Sequence, residues 1–201
     1  MSKKKIIKKS ATYHHGDLRA AILRSAEEIL KRDGLHALSV RACARETGVS
    51  HTAPAHHFPT LFSLLSALAA IGFEKLADVL QKAISKKNFK PIDAAKAYVI
   101  FALENKELFY LMNDPSRLDS TYSALHAARQ RAYKGLGAAN SISLENPTLE
   151  EVGLLTGAWA LPHGLALLML GGRLKGLLRI APEGTTEMDL LDEALSAMKR
   201  K

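Results

Sequence analysis

Leu38-Ser39-Val40-Arg41-Ala42-Cys43-Ala44-Arg45-Glu46-Thr47-Gly48-Val49-Ser50 places a helix start, a helix stop and a second start within thirteen residues. Ser39 has the short side-chain oxygen that caps a helix N-terminus, and Gly48 readily takes the left-handed conformation that ends one. The spacing predicts a short helix from Val40 to Glu46 and a tight turn at Thr47-Gly48-Val49. A third helix, capped by Ser50, should then run to about Phe58, where Pro59 closes the unit. Pro54 sits later in that helix than proline prefers, so local distortion is expected. Ala44, four residues before Gly48, is small enough to let the two helices approach, with Leu38, Val40 and Val49 plugging the unit from inside.

Working outward, Leu18, Ile22, Ala26, Ile29 and Leu30 recur on one face of a helix that starts at Asp17 and stops at Gly34. Two short helices joined by a glycine-containing turn and backed by such a helix form a helix-turn-helix, whose second helix enters the DNA major groove. Lys3 to Lys9 reads as a flexible basic arm. Beyond Thr60, Leu61, Leu64, Leu65, Leu68, Ile71, Leu76, Val79 and Leu80 define one long helix. Further helices are expected over Asp93 to Met112 (kinked near Asn105), Ser116 to Ala139, Thr148 to Leu170 and Thr186 to Lys199. Alternating strands, hairpin turns and internal repeats are missing from the pattern. The fold class is therefore all-α, with about nine helices: an arm at 1–12, a helix-turn-helix domain at 13–60 and a larger helical domain at 61–201.

The net charge of +8 is unevenly spread. Residues 1–58 carry eleven Lys and Arg against five Asp and Glu, whereas the rest carries seventeen against fifteen. Six of the eight histidines also precede residue 59. On charge alone, a polyanion partner and a merely solvated lysine tail are equally good readings. Cys43 is the single cysteine. It excludes an internal disulfide and a multi-cysteine zinc site, fits a reducing cytoplasm, and reads as a small buried side chain. His14, His15, His51, His56 and His57 lack metal-ligand spacing, so no metal is expected. The N-terminus has no apolar run suited to a signal peptide. Val152 to Gly172 contains no Asp, Glu, Lys or Arg and is long enough to span a bilayer, yet it holds Pro162, His163 and several glycines. A dimer-buried helix accounts for it, and no membrane partner is expected.

Several motifs together resemble the tetracycline-repressor (TetR-like) family of transcription regulators. They are Tyr13-His14-His15-Gly16-Asp17-Leu18-Arg19, Leu38-Ser39-Val40-Arg41, Gly48-Val49-Ser50 and Ala53-Pro54-x-x-His57-Phe58-Pro59. Trp159-Ala160-Leu161-Pro162-His163-Gly164 also resembles the Trp-His-Gly signature of one C-terminal subclass. The resemblance implies a homodimer bound to a double-stranded DNA operator. Ser50, His51, Thr52, Ala53 and His56 would face base edges or nearby phosphates, with Ser39, His57 and Arg41 on the backbone. Tyr13 belongs to the same motif, and the arm's Lys4 and Lys5 could reach an adjacent minor groove. Two positions depart from the family: Ala55 where an aromatic is usual, and Leu61 where a lysine is. Both losses remove phosphate contacts and imply weaker DNA binding.

Residues 93–170 are rich in aromatic and soft apolar side chains, of the kind that line small-molecule pockets. Phe101, Phe109, Tyr110, Tyr122, Trp159 and His163 are the candidate ligand residues, and the effector is expected to be small and hydrophobic or aromatic. Trp159 and His163 lie four apart on one helix face, both with polar atoms that need partners when buried. Pro162 between them should kink the helix. Gly153, Gly157, Ala158, Gly164 and Ala166, with Leu190, Leu191, Leu195 and Met198, are expected to form the dimer contact. No cofactor and no catalytic residue are expected. The rival class is an enzyme using His163 as a general base, although paired carboxylates, a nucleophile motif and a phosphate loop are all missing.

Overall fold

The computed structural model describes residues 15–50 and 52–197, with side chains from residue 18, and every regular element among them is helical. The chain divides into two compact units, Met1–Leu61 and Phe62–Lys201. Lys4, Lys5, Tyr13, His51 and Met198 lie outside the described residues.

The first unit contains α1 (His15–Asp33) and α2 (Val40–Thr47). Ile22, Ala26, Ile29 and Leu30 bury one face of α1, as their spacing requires, and α2 answers with Cys43 and Ala44, both fully enclosed. Gly34 ends α1 at φ 81°. The Ser39 hydroxyl accepts from the Ala42 amide at 3.0 Å, capping α2 as expected. Gly48 ends α2 in the left-handed region at φ 71°, where a side chain would be strained although nothing crowds the position. Arg32 at the end of α1 pairs with Glu46 of α2 at 3.1 Å.

The third helix differs from expectation. Ser50 does not cap it; its hydroxyl lies 3.3 Å from that of Thr52. Regular structure is confined to a 3-10 turn, Ala53–His56. Pro54 explains this. It has no N–H to donate to the Ser50 carbonyl, so that oxygen accepts instead from Ala53, and Ala55 bonds to Thr52 in the same tighter pattern. Pro54 and Phe58 are buried, anchoring the segment from below.

The second unit holds α3 (Leu61–Ile84, all but its first residue), α4 (Pro91–Glu104), α5 (Lys106–Met112) and α6 (Ser123–Ala139). It continues with α7 (Leu149–Leu170), α8 (Lys175–Leu178) and α9 (Glu187–Ala197). The expected Asp93–Met112 helix is interrupted at Asn105, whose side-chain amide donates to the Phe101 carbonyl and competes with the backbone ladder. The expected start at Ser116 is also displaced. Asp114 and Asp119 draw local amides into turns, and the Asp119 amide donates to the buried Ser66 hydroxyl at 2.7 Å, so α6 begins only at Ser123. Gly72 allows close packing of α3 on α5: a Cβ there would meet the Met112 sulfur at 2.5 Å. Thr148 and Glu151 form a reciprocal cap at the start of α7, which continues unbroken through Pro162.

Candidate functional site

In the first unit, burial sorts side chains into two sets. Leu38, Cys43, Ala44, Pro54 and Phe58 point inward. Arg41, Arg45, Ser50, Thr52, Ala55 and His56 are exposed, while Ser39, Ala53 and His57 are half-buried. Val40 and Val49 are only half-buried, so Cys43 and Ala44, more than these valines, seal α2 against α1. The exposed set combines cationic, imidazole and hydroxyl groups, which can bond to phosphates and to base edges. Arg19 stacks over the Phe58 ring at 5.3 Å and braces the base of this segment. Cys43 is no part of the exposed face: burial pushes its thiol up to about 11, where it stays protonated and unreactive.

The second unit encloses a cavity of about 380 Å³, within the size range of roughly 300–1,000 Å³ that takes small ligands. Its wall comes from one face each of several helices. Phe73, Leu76 and Leu80 come from α3; Pro91, Ile92, Ala95 and Tyr98 from α4; and Met112 and Asn113 from the end of α5. On α6, Arg129, Tyr133 and Leu136 recur at helical spacing, followed by Asn140 just past its end, and Ala158, Trp159, Leu161 and Pro162 of α7 close the other side with Leu195 of α9.

Of the six expected ligand residues, Trp159 lines the cavity and the other five do not. Phe101 and Phe109 are core. Tyr110 is exposed and Tyr122 half-buried. His163 supports the wall: its ring lies 5.5 Å from Phe109 and 5.7 Å from Trp159. Tyr98 and Tyr133, together with the aliphatic set of α3 and α4, are wall residues absent from the expected set. For Tyr133 the signal was the periodicity of Arg129, Ala132, Tyr133 and Leu136, which marks one face of α6.

A directional hydrogen-bond chain connects the wall. The Trp159 indole can only donate, and its Nε1–H points to the Tyr98 oxygen at 3.3 Å. The single Tyr98 proton is therefore free to go to His163 Nδ1, 2.8 Å away. That bond requires a neutral imidazole carrying its proton on Nε2. Electrostatics agree, since burial lowers the His163 pKa and pushes the Tyr98 hydroxyl up to about 12. Tyr133 packs edge-on against Trp159 with centroids 6.2 Å apart.

One face of α7 remains uncovered. Val152, Leu154, Leu167 and Leu168 are exposed, and Cβ atoms built on Gly153, Gly157 and Gly164 would meet nothing within 4 Å. By length and composition this is also the one helix among the described residues able to cross a bilayer. Ala166, Leu191 and Leu195, expected at a dimer contact, are instead buried within the chain, and Ala158 faces the cavity. Leu191 and Leu195 are consumed by the packing of α9 on α4 and α7.

Residues 92–194 match the model of the tetracycline-repressor-like C-terminal domain. The chain belongs to the tetracycline-repressor family. A solved protein of unknown function from Rhodococcus sp. RHA1 is 34% identical over 94% of this chain and 95% of its own, with a TM-score of 0.70. A TetR-family transcriptional regulator from Streptomyces coelicolor is 21% identical, covering 90% of this chain and 78% of that one at a TM-score of 0.63. A TetR family transcription regulator from Marinobacter aquaeolei VT8 is 17% identical over 90% and 95%, at 0.56. These last two speak for the fold. Comparison with curated proteins found no match. The regulator is thus an all-helical, DNA-binding transcription regulator of this family.

Proposed function

We propose that the regulator is a repressor that holds a pseudo-palindromic operator as a homodimer and releases it when a small apolar effector fills the cavity of the second unit. The observation that carries the DNA half is the exposure of Arg41, Ser50, Thr52 and His56 around a segment pinned from beneath by Pro54 and Phe58. Ser50, Thr52, Ala53 and His56 are assigned to bases and nearby phosphates, and Ser39, Arg41 and His57 to the backbone. Tyr13, His51 and the arm's Lys4 and Lys5 extend this set from outside the described residues. The short 3-10 turn limits how many consecutive side chains meet one groove, which makes backbone contacts a larger share of the affinity.

A second copy is the occupant proposed for the bare α7 face, where glycines with open space above them permit close helix approach. Two-fold pairing would present two reading units to half-sites about one helical turn apart. Effector occupancy is proposed to act through α3, which lines the cavity with Phe73, Leu76 and Leu80 and begins at Leu61 in the DNA-binding unit. The effector can bias DNA binding only by its differential affinity for two states. Catalysis by His163 is disfavoured because its Nδ1 lone pair already accepts the Tyr98 proton. The intended setting is the cytoplasm, where operator and reduced Cys43 coexist.

Gel-shift titration against the DNA upstream of its own gene tests the proposal. A discrete shifted species at low salt is expected, and no shift at low salt rejects it. Restoring the family's basic residue with Leu61→Lys should steepen the salt dependence by about one unit of slope. An unchanged slope would remove that position from the interface.

A further inference from the structure

Arg129 and Arg131 sit two residues apart on α6, yet their surroundings differ completely. Arg131 is doubly paired, with Glu74 at 2.5 Å and Asp78 at 2.5 Å. Arg129 lies half-buried over the Phe73 ring, 5.3 Å from its centroid, and among the described residues no carboxylate pairs with it. Both Arg129 and Phe73 line the cavity, and no Asp, Glu, Lys or second Arg does. A guanidinium presents five N–H donors in a rigid fork suited to a carboxylate, and ring stacking leaves the in-plane donors free. The remaining wall is mostly aliphatic and aromatic: Trp159 and Tyr98 satisfy one another and His163, and the neutral amides of Asn113 and Asn140 donate to the Phe109 and Leu136 carbonyls.

From this geometry we infer that the effector is an organic monocarboxylate with an apolar body, its carboxylate paired with Arg129 and its body against the aliphatic wall. The inference rests on the cavity being the effector site and narrows the expected hydrophobic or aromatic ligand to an anionic amphiphile. A neutral hydroxyl or carbonyl would offer the guanidinium only a weaker, uncharged acceptor, a hydrocarbon would offer none, and a cation would be repelled by it. Phe73 keeps the fork in place before the ligand arrives, which lowers the ordering cost of binding.

Trp159 is the chain's single tryptophan and lies in the wall, so its emission reports occupancy directly. The full-length protein at pH 7.5 is titrated with decanoate and hydrocinnamate, and in parallel with decanol and hydrocinnamyl alcohol, following Trp159 emission and the melting temperature. At least one carboxylate should bind about tenfold more tightly than its alcohol. Arg129→Met, which keeps the apolar stem over Phe73, should abolish that preference while alcohol binding persists, proving the variant folded. Arg129→Lys should restore part of it. Equal or tighter binding of both alcohols to the unaltered protein overturns the anion assignment and leaves the cavity reading standing. A carboxylate preference that survives Arg129→Met likewise overturns it. If none of the four compounds alters emission or melting, the cavity is not an effector site and both readings fall.

Discussion

The two units do their work on opposite sides of their own surfaces. In the first, the candidate DNA contacts are side chains left over after the core is built: Arg41, Ser50, Thr52 and His56 face out because Cys43, Ala44, Pro54 and Phe58 face in. In the second, the candidate contacts are the inward ones, and the cavity exists where six helices fail to close over Tyr98, Tyr133 and Trp159. An outward site tolerates a small core and depends on its rigidity. An inward site needs a core large enough to carry a hole.

That contrast can be broken most forcefully at Phe58. Phe58→Ala removes a fully buried ring from the small unit, and a loss of about 3–5 kcal/mol is expected. Denaturant unfolding should show the loss, with DNA binding abolished while decanoate still perturbs Trp159 emission. Simultaneous loss of both activities would show that the units do not fold as separable cores. Gly48→Ala is a milder probe of the same unit. Nothing blocks a methyl group there, so the cost is conformational, about 1–2 kcal/mol for holding a non-glycine residue at φ 71°. A variant as stable as the parent would show that the turn relaxes without penalty.

The smallest effect belongs to the second unit and to pH. Burial holds the His163 pKa below its ordinary value near 6.5, so the unfolded chain binds a proton more readily than the folded one. Its contribution to stability is full above the unfolded value and is lost as the pH falls through the lowered folded one. Urea midpoints taken between pH 7.5 and pH 5 should fall on acidification, and less steeply in His163→Gln. A parallel fall in both proteins would assign the acid sensitivity to other groups.

Legibility in the sequence followed the same division. The Ser39 cap, the Gly48 turn, the α1 stripe and the Thr148 start of α7 were readable because each depends on residues within a turn or two. The third helix misled because one missing N–H at Pro54 outweighs the capping potential of Ser50, a local effect whose outcome depends on how deeply Pro54 and Phe58 are drawn inward. Among the aromatic residues, composition marked a pocket-forming region but chose unevenly within it: of the favoured pair, Trp159 meets the cavity and His163 sits behind it, while Phe109 is sealed in the core.

By itself, then, the sequence determined the helical class, the first two helices of the N-terminal unit and the family, since periodicity, caps and motif spacing are properties of neighbours along the chain. Tertiary structure alone decided that Arg131 is paired with two carboxylates of α3 while Arg129 stays available beside Phe73, and that the Tyr98 hydroxyl donates a hydrogen bond to His163. Those outcomes depend on which atoms of distant helices arrive within hydrogen-bonding distance. Such distances are set by packing, which no single segment encodes.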